Sequence, residues 1–142
     1  MASLRERRDP ILGGATVLLA EDDDDARELL AFALQACGAT VVAAASAREA
    51  LTASIEIVPS VLVTDISMPG EDGFWLLAEL RRVLRGRGVR IPAVACTALA
   101  RDYTREAVLA AGFQGYVTKP VDPMALCVAV AEAMQQPLPG SA

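Results

Sequence analysis

Five short apolar runs punctuate the chain: Thr16 to Ala20, Thr40 to Ala44, Ser60 to Asp65, Ile91 to Thr97 and Gly115 to Thr118. In the third, Val61, Leu62 and Val63 follow one another without the polar alternation of a half-wet strand, which predicts a strand covered on both faces. Between the runs, helical spacing recurs at Ala26, Leu29, Leu30, Ala33 and Leu34, at Ala47, Ala50, Leu51, Ser54 and Ile55, and at Leu76, Leu77, Leu80, Val83 and Leu84. A fourth, less marked helix is expected around Asp102 to Ala111. A fifth should open at Asp122-Pro123, an acidic cap followed by proline at the first helical position. Gly38, Gly112 and the Gly86-Arg87-Gly88 segment fall where helices should stop.

The pattern therefore predicts five strands and five helices in strict alternation over residues 15–136. Such alternation specifies an α/β fold: a doubly wound parallel sheet with helices on both faces, three layers in all, built by right-handed crossovers. Residues 1–14 and 137–142 read as tails, and no internal repeat appears.

Composition narrows the function. With 142 residues, 54% of them hydrophobic, the chain is the size of one ordinary domain and can bury a core without staples. A net charge of −5 argues against general attraction to nucleic acid or to an anionic membrane surface. No apolar run approaches a membrane span, and the opening MASLRERRDPILGGAT lacks the apolar core of a secretion signal, so a cytoplasmic location without membrane contact is expected. Cys37, Cys96 and Cys127 are odd in number, widely spaced and set in apolar sequence, which favours free thiols over disulfides or a metal cluster. The absence of histidine removes the usual general base, the commonest transition-metal ligand and any phosphohistidine on this chain.

In an open doubly wound sheet, sites form outside the carboxyl ends of the strands, where strand order reverses. The first strand ends in Glu21-Asp22, the third in Asp65, the fourth in Thr97, and Lys119-Pro120 follows the fifth. Asp23, Asp24 and Asp25 are explained as the cap and first turn of a helix. Asp65 is not. Two like charges about 4 Å apart cost about 4 kcal/mol at an effective dielectric of about 20. A proton, Lys119 or a divalent cation must offset the cluster.

Magnesium suits such a site, since it takes oxygen ligands, needs only one or two carboxylates and keeps positions open for water and a phosphoryl oxygen. A soft transition metal is disfavoured with no histidine or cysteine at the cluster. Asp65 can then serve as a nucleophile, because carboxylates form acyl phosphates when phosphorus is held in line and its charge is neutralised. Magnesium, the Thr97 hydroxyl and Lys119, the sole lysine among thirteen basic residues, would supply that neutralisation.

The segments VLLAEDD, DISMPGEDG, ACTA and GYVTKP, taken together and in this order, resemble the receiver domains of two-component response regulators from about Ala15 to Met134. The resemblance implies a flavodoxin-like sheet of strand order 2-1-3-4-5. It implies that Asp65 accepts a phosphoryl group from the phosphohistidine of a partner histidine kinase or phosphotransfer protein. Magnesium is then bound by Asp22, Asp65 and the backbone carbonyl of Ser67, with Glu21 reaching it directly or through water. Thr97 and Lys119 hold the phosphoryl oxygens. Thr97 and Tyr116 act as the switch, remodelling the face of the fourth helix, fifth strand and fifth helix for a downstream protein or a second copy. The Lys119-Pro120 bond is implied to be a cis peptide. Ser67 and Leu99 occupy positions that govern water access in the family, and the apolar Leu99 implies slow self-dephosphorylation. The chain is not expected to be an enzyme beyond its own phosphorylation and dephosphorylation.

Other readings fit less well. A haloacid dehalogenase-type phosphatase would carry a second acid two residues after the nucleophile, where Ser67 stands, and a substrate-covering cap. A flavin or nucleotide carrier would not place AEDDDD where phosphate must bind. A degenerate receiver serving only as a docking module is the main alternative. The chain reads as a stand-alone regulator or as a receiver segment of a hybrid histidine kinase, with AGFQGYVTKPVDP and RERRDP pointing to the latter.

Overall fold

The computed structural model describes residues 10–98 and 104–136. Strands β1 (Thr16–Ala20), β2 (Thr40–Ala44), β3 (Val61–Asp65), β4 (Ala93–Thr97) and β5 (Gly115–Thr118) alternate with helices α1 (Asp24–Ala36), α2 (Ala47–Glu56), α3 (Gly73–Arg85), α4 (Arg105–Ala110) and α5 (Pro123–Gln135). The strands form one parallel sheet of order β2-β1-β3-β4-β5. The chain reverses direction across the sheet between β1 and β3, so the expected crevice opens beyond those two strand ends.

Every residue of β3 and β4 is buried, whereas the edge strands β2 and β5 are partly exposed, as sheet position dictates. Alternate residues of the central strands feed two apolar layers. Leu18, Leu62, Ala93 and Ala95 face the layer of α2 and α3; Val17, Val61, Val63 and Val94 face the layer of α1 and α5. Each helix start is capped by a side chain. Asp23, Ser46, Asp72, Thr104 and Asp122 each accept a hydrogen bond from a backbone N–H three residues on.

Three boundaries differ from the sequence pattern. Ser60 lies just before β3, where its hydroxyl accepts from the Thr16 N–H at 3.0 Å and ends the strand. Ile91 and Pro92 precede β4, since proline cannot donate to the ladder. The fourth helix begins at Arg105; Asp102 and Leu99 lie outside the described residues. The stretch before β1 also contributes to the core from Leu12 onward. Leu12 is 1% exposed, and its N–H donates to the Cys37 carbonyl at 2.9 Å. Gly38, at φ +100°, gives Pro10 the space a side chain would take.

At the opposite end of the sheet from the strand carboxyl termini, Arg81 of α3 ties the loops together. Its guanidinium donates to the Ile91 carbonyl, to the Gly112 carbonyl at 2.6 Å and to Gln114 Oε1 at 2.8 Å. Gln114 Oε1 also accepts from the Ala93 N–H. Burial, with Arg85 adding to it, pulls the Arg81 guanidinium below its ordinary value, yet neutral oxygens satisfy it. Arg81→Ala would strand these acceptors and is expected to cost about 2–3 kcal/mol. Urea unfolding followed by the fluorescence of Trp75 checks this.

Candidate functional site

The carboxyl ends of β1, β3 and β4 and the first residue after β5 meet at one edge of the sheet. Glu21 continues the pairing of β1, its N–H donating to the Ala44 carbonyl at 3.1 Å, and this buries its side chain to 1% exposure. Asp65 closes β3 opposite Cys96, and its side chain is likewise buried. Asp22 follows on the exposed side. One carboxylate oxygen from each of Glu21, Asp22 and Asp65 lies within 4.8 Å of the others.

Lys119 is the counter-charge. Its Nζ lies 2.9 Å from Glu21 Oε1 and 3.1 Å from Asp65 Oδ2. The backbone prepares this reach: the Lys119 N–H donates to the Thr97 carbonyl at 3.0 Å, and the Lys119–Pro120 peptide is cis. Burial acts to lower the Lys119 pKa, but hydrogen bonds to Glu21 and Asp65 and their negative charge outweigh it, so the ammonium is held above its ordinary value. Arg27 of α1 adds a second cation nearby, donating to the Glu21 backbone carbonyl at 3.0 Å. Its sequence signal was its place one turn from Asp24, with which it pairs.

Three carboxylates against one ammonium in direct contact leave surplus negative charge facing solvent through Asp22. A hard, oxygen-seeking divalent cation such as magnesium fits that donor set, with two buried anchors and one exposed ligand. Ser67 lies two residues beyond Asp65 and is exposed. Thr97 is buried at the end of β4, paired with Thr118. Cys96, next to Thr97, takes no part as a nucleophile: burial pushes its thiol up to about 12, partly countered by Lys119.

Tyr116 stands apart from the acid cluster. It pairs with Ala95, packs partly against the core, and borders a groove of about 550 Å³ between α4, β5 and α5. The Arg105 guanidinium sits 5.8 Å from its ring centroid, a contact that no sequence periodicity signals.

Gly73 is a further residue the site requires. The first residue of α3, it donates to the Ile66 carbonyl at 2.8 Å, and a side chain there would collide with the Asp65 backbone carbonyl. Gly73→Ala is expected to destabilise the fold by about 1–3 kcal/mol and to displace Asp65, the stability loss being read by thermal melting. Lys119 gives a pH test. Because its folded pKa is raised above the ordinary 10.5, its stabilisation is complete below that pH and is lost as pH rises through the folded value. The stability gap between the natural protein and Lys119→Met should hold steady to about pH 10 and close above it, as measured by urea unfolding.

The comparisons agree with this geometry. The family model "Response regulator receiver domain" matches residues 17–131. An uncharacterized 14.6 kDa protein in the sodA1 3′ region of Leptolyngbya boryana is 44% identical over 110 residues, covering 78% of this chain and 82% of that protein. The regulatory protein AtoC of Escherichia coli is 36% identical over 84% of this chain, which spans only 25% of AtoC. Among solved structures, the Vibrio cholerae chemotaxis protein CheY4 superposes with a TM-score of 0.74 at 26% identity, covering 84% of this chain and 98% of that one. The receiver domain of the hybrid histidine kinase CckA gives 0.66 at 28% identity, covering 84% and 99%. With its strand order, its acid cluster and the match over residues 17–131, the chain belongs to the response regulator receiver domain family.

Proposed function

We propose that this protein is a phosphoacceptor signalling domain in which Asp65 receives a phosphoryl group from a histidine kinase or phosphotransfer protein. The carrying observation is Lys119 Nζ in contact with both Glu21 and Asp65, beside a third carboxylate at a solvent-facing strand edge. A carboxylate held there is oriented by its counter-charge at the strand-end crevice.

Glu21, Asp22, Asp65 and the Ser67 backbone carbonyl would hold magnesium, which when bound supplies charge neutralisation for the transferred group. Asp65 attacks phosphorus through a carboxylate oxygen. The new O–P bond forms as the donor's N–P bond breaks, and the imidazole leaves with the electron pair. Lys119 turns part of its charge from the carboxylates to the incoming oxygens, and the Thr97 hydroxyl donates to another. The added charge then favours a packing in which Thr97 moves toward the phosphoryl group and Tyr116 turns inward, changing the face of α4, β5 and α5 offered to a partner or second copy.

The work is done in the cytoplasm. Among the described residues no helix is long and apolar enough to cross a membrane. Leu99, with no polar group to orient attacking water, makes the acyl phosphate long-lived.

Incubation with magnesium and acetyl phosphate is expected to add the mass of one phosphoryl group, read by intact mass spectrometry. Asp65→Asn should abolish that gain, and Lys119→Met should slow it by about 10²-fold or more, the scale of losing one charge-stabilising donor. A gain that survives in Asp65→Asn would mean that another residue is the acceptor.

A further inference from the structure

We infer that Arg105 is a latch on Tyr116: its guanidinium, set over the ring, holds the tyrosine in its half-buried, groove-lining position and so opposes the signalling state. The inference rests on the proposed switching role of Tyr116 and adds to it a residue that sets the resting balance.

Both partners are fixed at the backbone. Tyr116 is locked in register against Ala95 in the sheet. Arg105 is the first residue of α4, whose start is pinned by the Thr104 hydroxyl accepting from the Ala107 N–H at 3.1 Å. Their side chains then meet at 5.8 Å, within the range at which a ring quadrupole attracts a cation. Among the described residues no carboxylate pairs with Arg105 in a salt bridge; Glu132 and Gln136 lie on the same groove.

A stacked cation discriminates between ring positions because it interacts with a face. If the ring turns toward the sheet end near Thr97, that face leaves the guanidinium and the attraction is lost, so the contact stabilises the outward position alone. An exposed contact of this kind is worth about a two- to fivefold change in the ratio of the two states. Placing it at the first turn of α4 also makes it mechanical. Any shift of α4 loosens the ring, and any inward turn of the ring frees α4.

The test uses the full chain labelled with 3-fluorotyrosine, whose two tyrosines, Tyr103 and Tyr116, are told apart by Tyr103→Phe. In Arg105→Ala, without phosphodonor, the Tyr116 fluorine resonance is expected to move toward the position it takes in the natural protein after magnesium and acetyl phosphate. Arg105→Lys, which keeps a cation, should retain most of the original position. Phosphorylation by acetyl phosphate, read as mass gain, should run about two- to fivefold faster in Arg105→Ala. A resonance and a rate that coincide with those of the natural protein would overturn the latch, as would Arg105→Lys behaving like Arg105→Ala with both melting normally. A Tyr116 shift in Arg105→Ala without any mass gain in the natural protein would uphold the ring contact and reject the phosphoacceptor reading, so the two failures are distinguishable.

Discussion

The repulsion among carboxylates at one edge of the sheet is the constraint around which this molecule is organised. Glu21 and Asp65 are buried, and burial raises the cost of holding like charges together. Lys119 offsets that cost by touching both at once. One ammonium cannot neutralise three acids, however, and the remainder faces solvent through Asp22. The site is thereby left short of positive charge. A buried ion cluster of this kind is weak evidence for stability, since the desolvation of each member opposes its attraction to the others. Under the proposed function it serves as stored affinity for a cation and, with that cation, for a phosphoryl group.

The fold makes this cluster possible because parallel strands end together. Four adjacent strands of a β2-β1-β3-β4-β5 sheet bring residues distant in sequence to one line, and Lys119 meets Glu21 across 98 positions of chain. The apolar layers on both faces fix the strand ends so that the side chains emerging there have little freedom to separate. Gly73 completes the arrangement by letting α3 begin directly against the Asp65 carbonyl. The acid is held from behind by backbone rather than by side chains that could yield.

Much of this was legible in the sequence, for a physical reason. A strand buried on both faces excludes charge, so the first charged residue marks its end, and the chemistry of such a fold lies at strand ends. Asp65 after Val61 to Thr64 could thus be placed from the pattern, as could the caps Asp23 and Asp122. What was not legible depends on contacts that no local period encodes. Leu12 looks like part of a polar tail, yet it is buried because Gly38 opens space for the turn that carries it. Arg81 sits on an amphipathic helix, where an arginine reads as a solvated flank; its role comes from three carbonyl-type acceptors supplied by two distant loops. The Arg105–Tyr116 stacking is of the same type, a pairing of helix start with sheet edge.

These two arginines divide the β4–β5 side of the molecule into a rigid end and a movable one. At the base of the sheet Arg81 binds the entry loops of β4 and β5 through short hydrogen bonds to backbone oxygens, contacts that cannot shift without leaving buried acceptors unpaired. Toward the other end, α4 spans only six residues and carries a single buried residue, Val108. Its hold on the sheet is correspondingly small, and a cation–ring contact of modest strength counts for a larger share of it. A signal generated at Asp65 would therefore find the path of least resistance through β4 and α4, and the strands would stay in register while the helix and the ring beside it changed place. The asymmetry follows from where each arginine found its partners: carbonyls fixed by the sheet for one, a rotatable ring for the other.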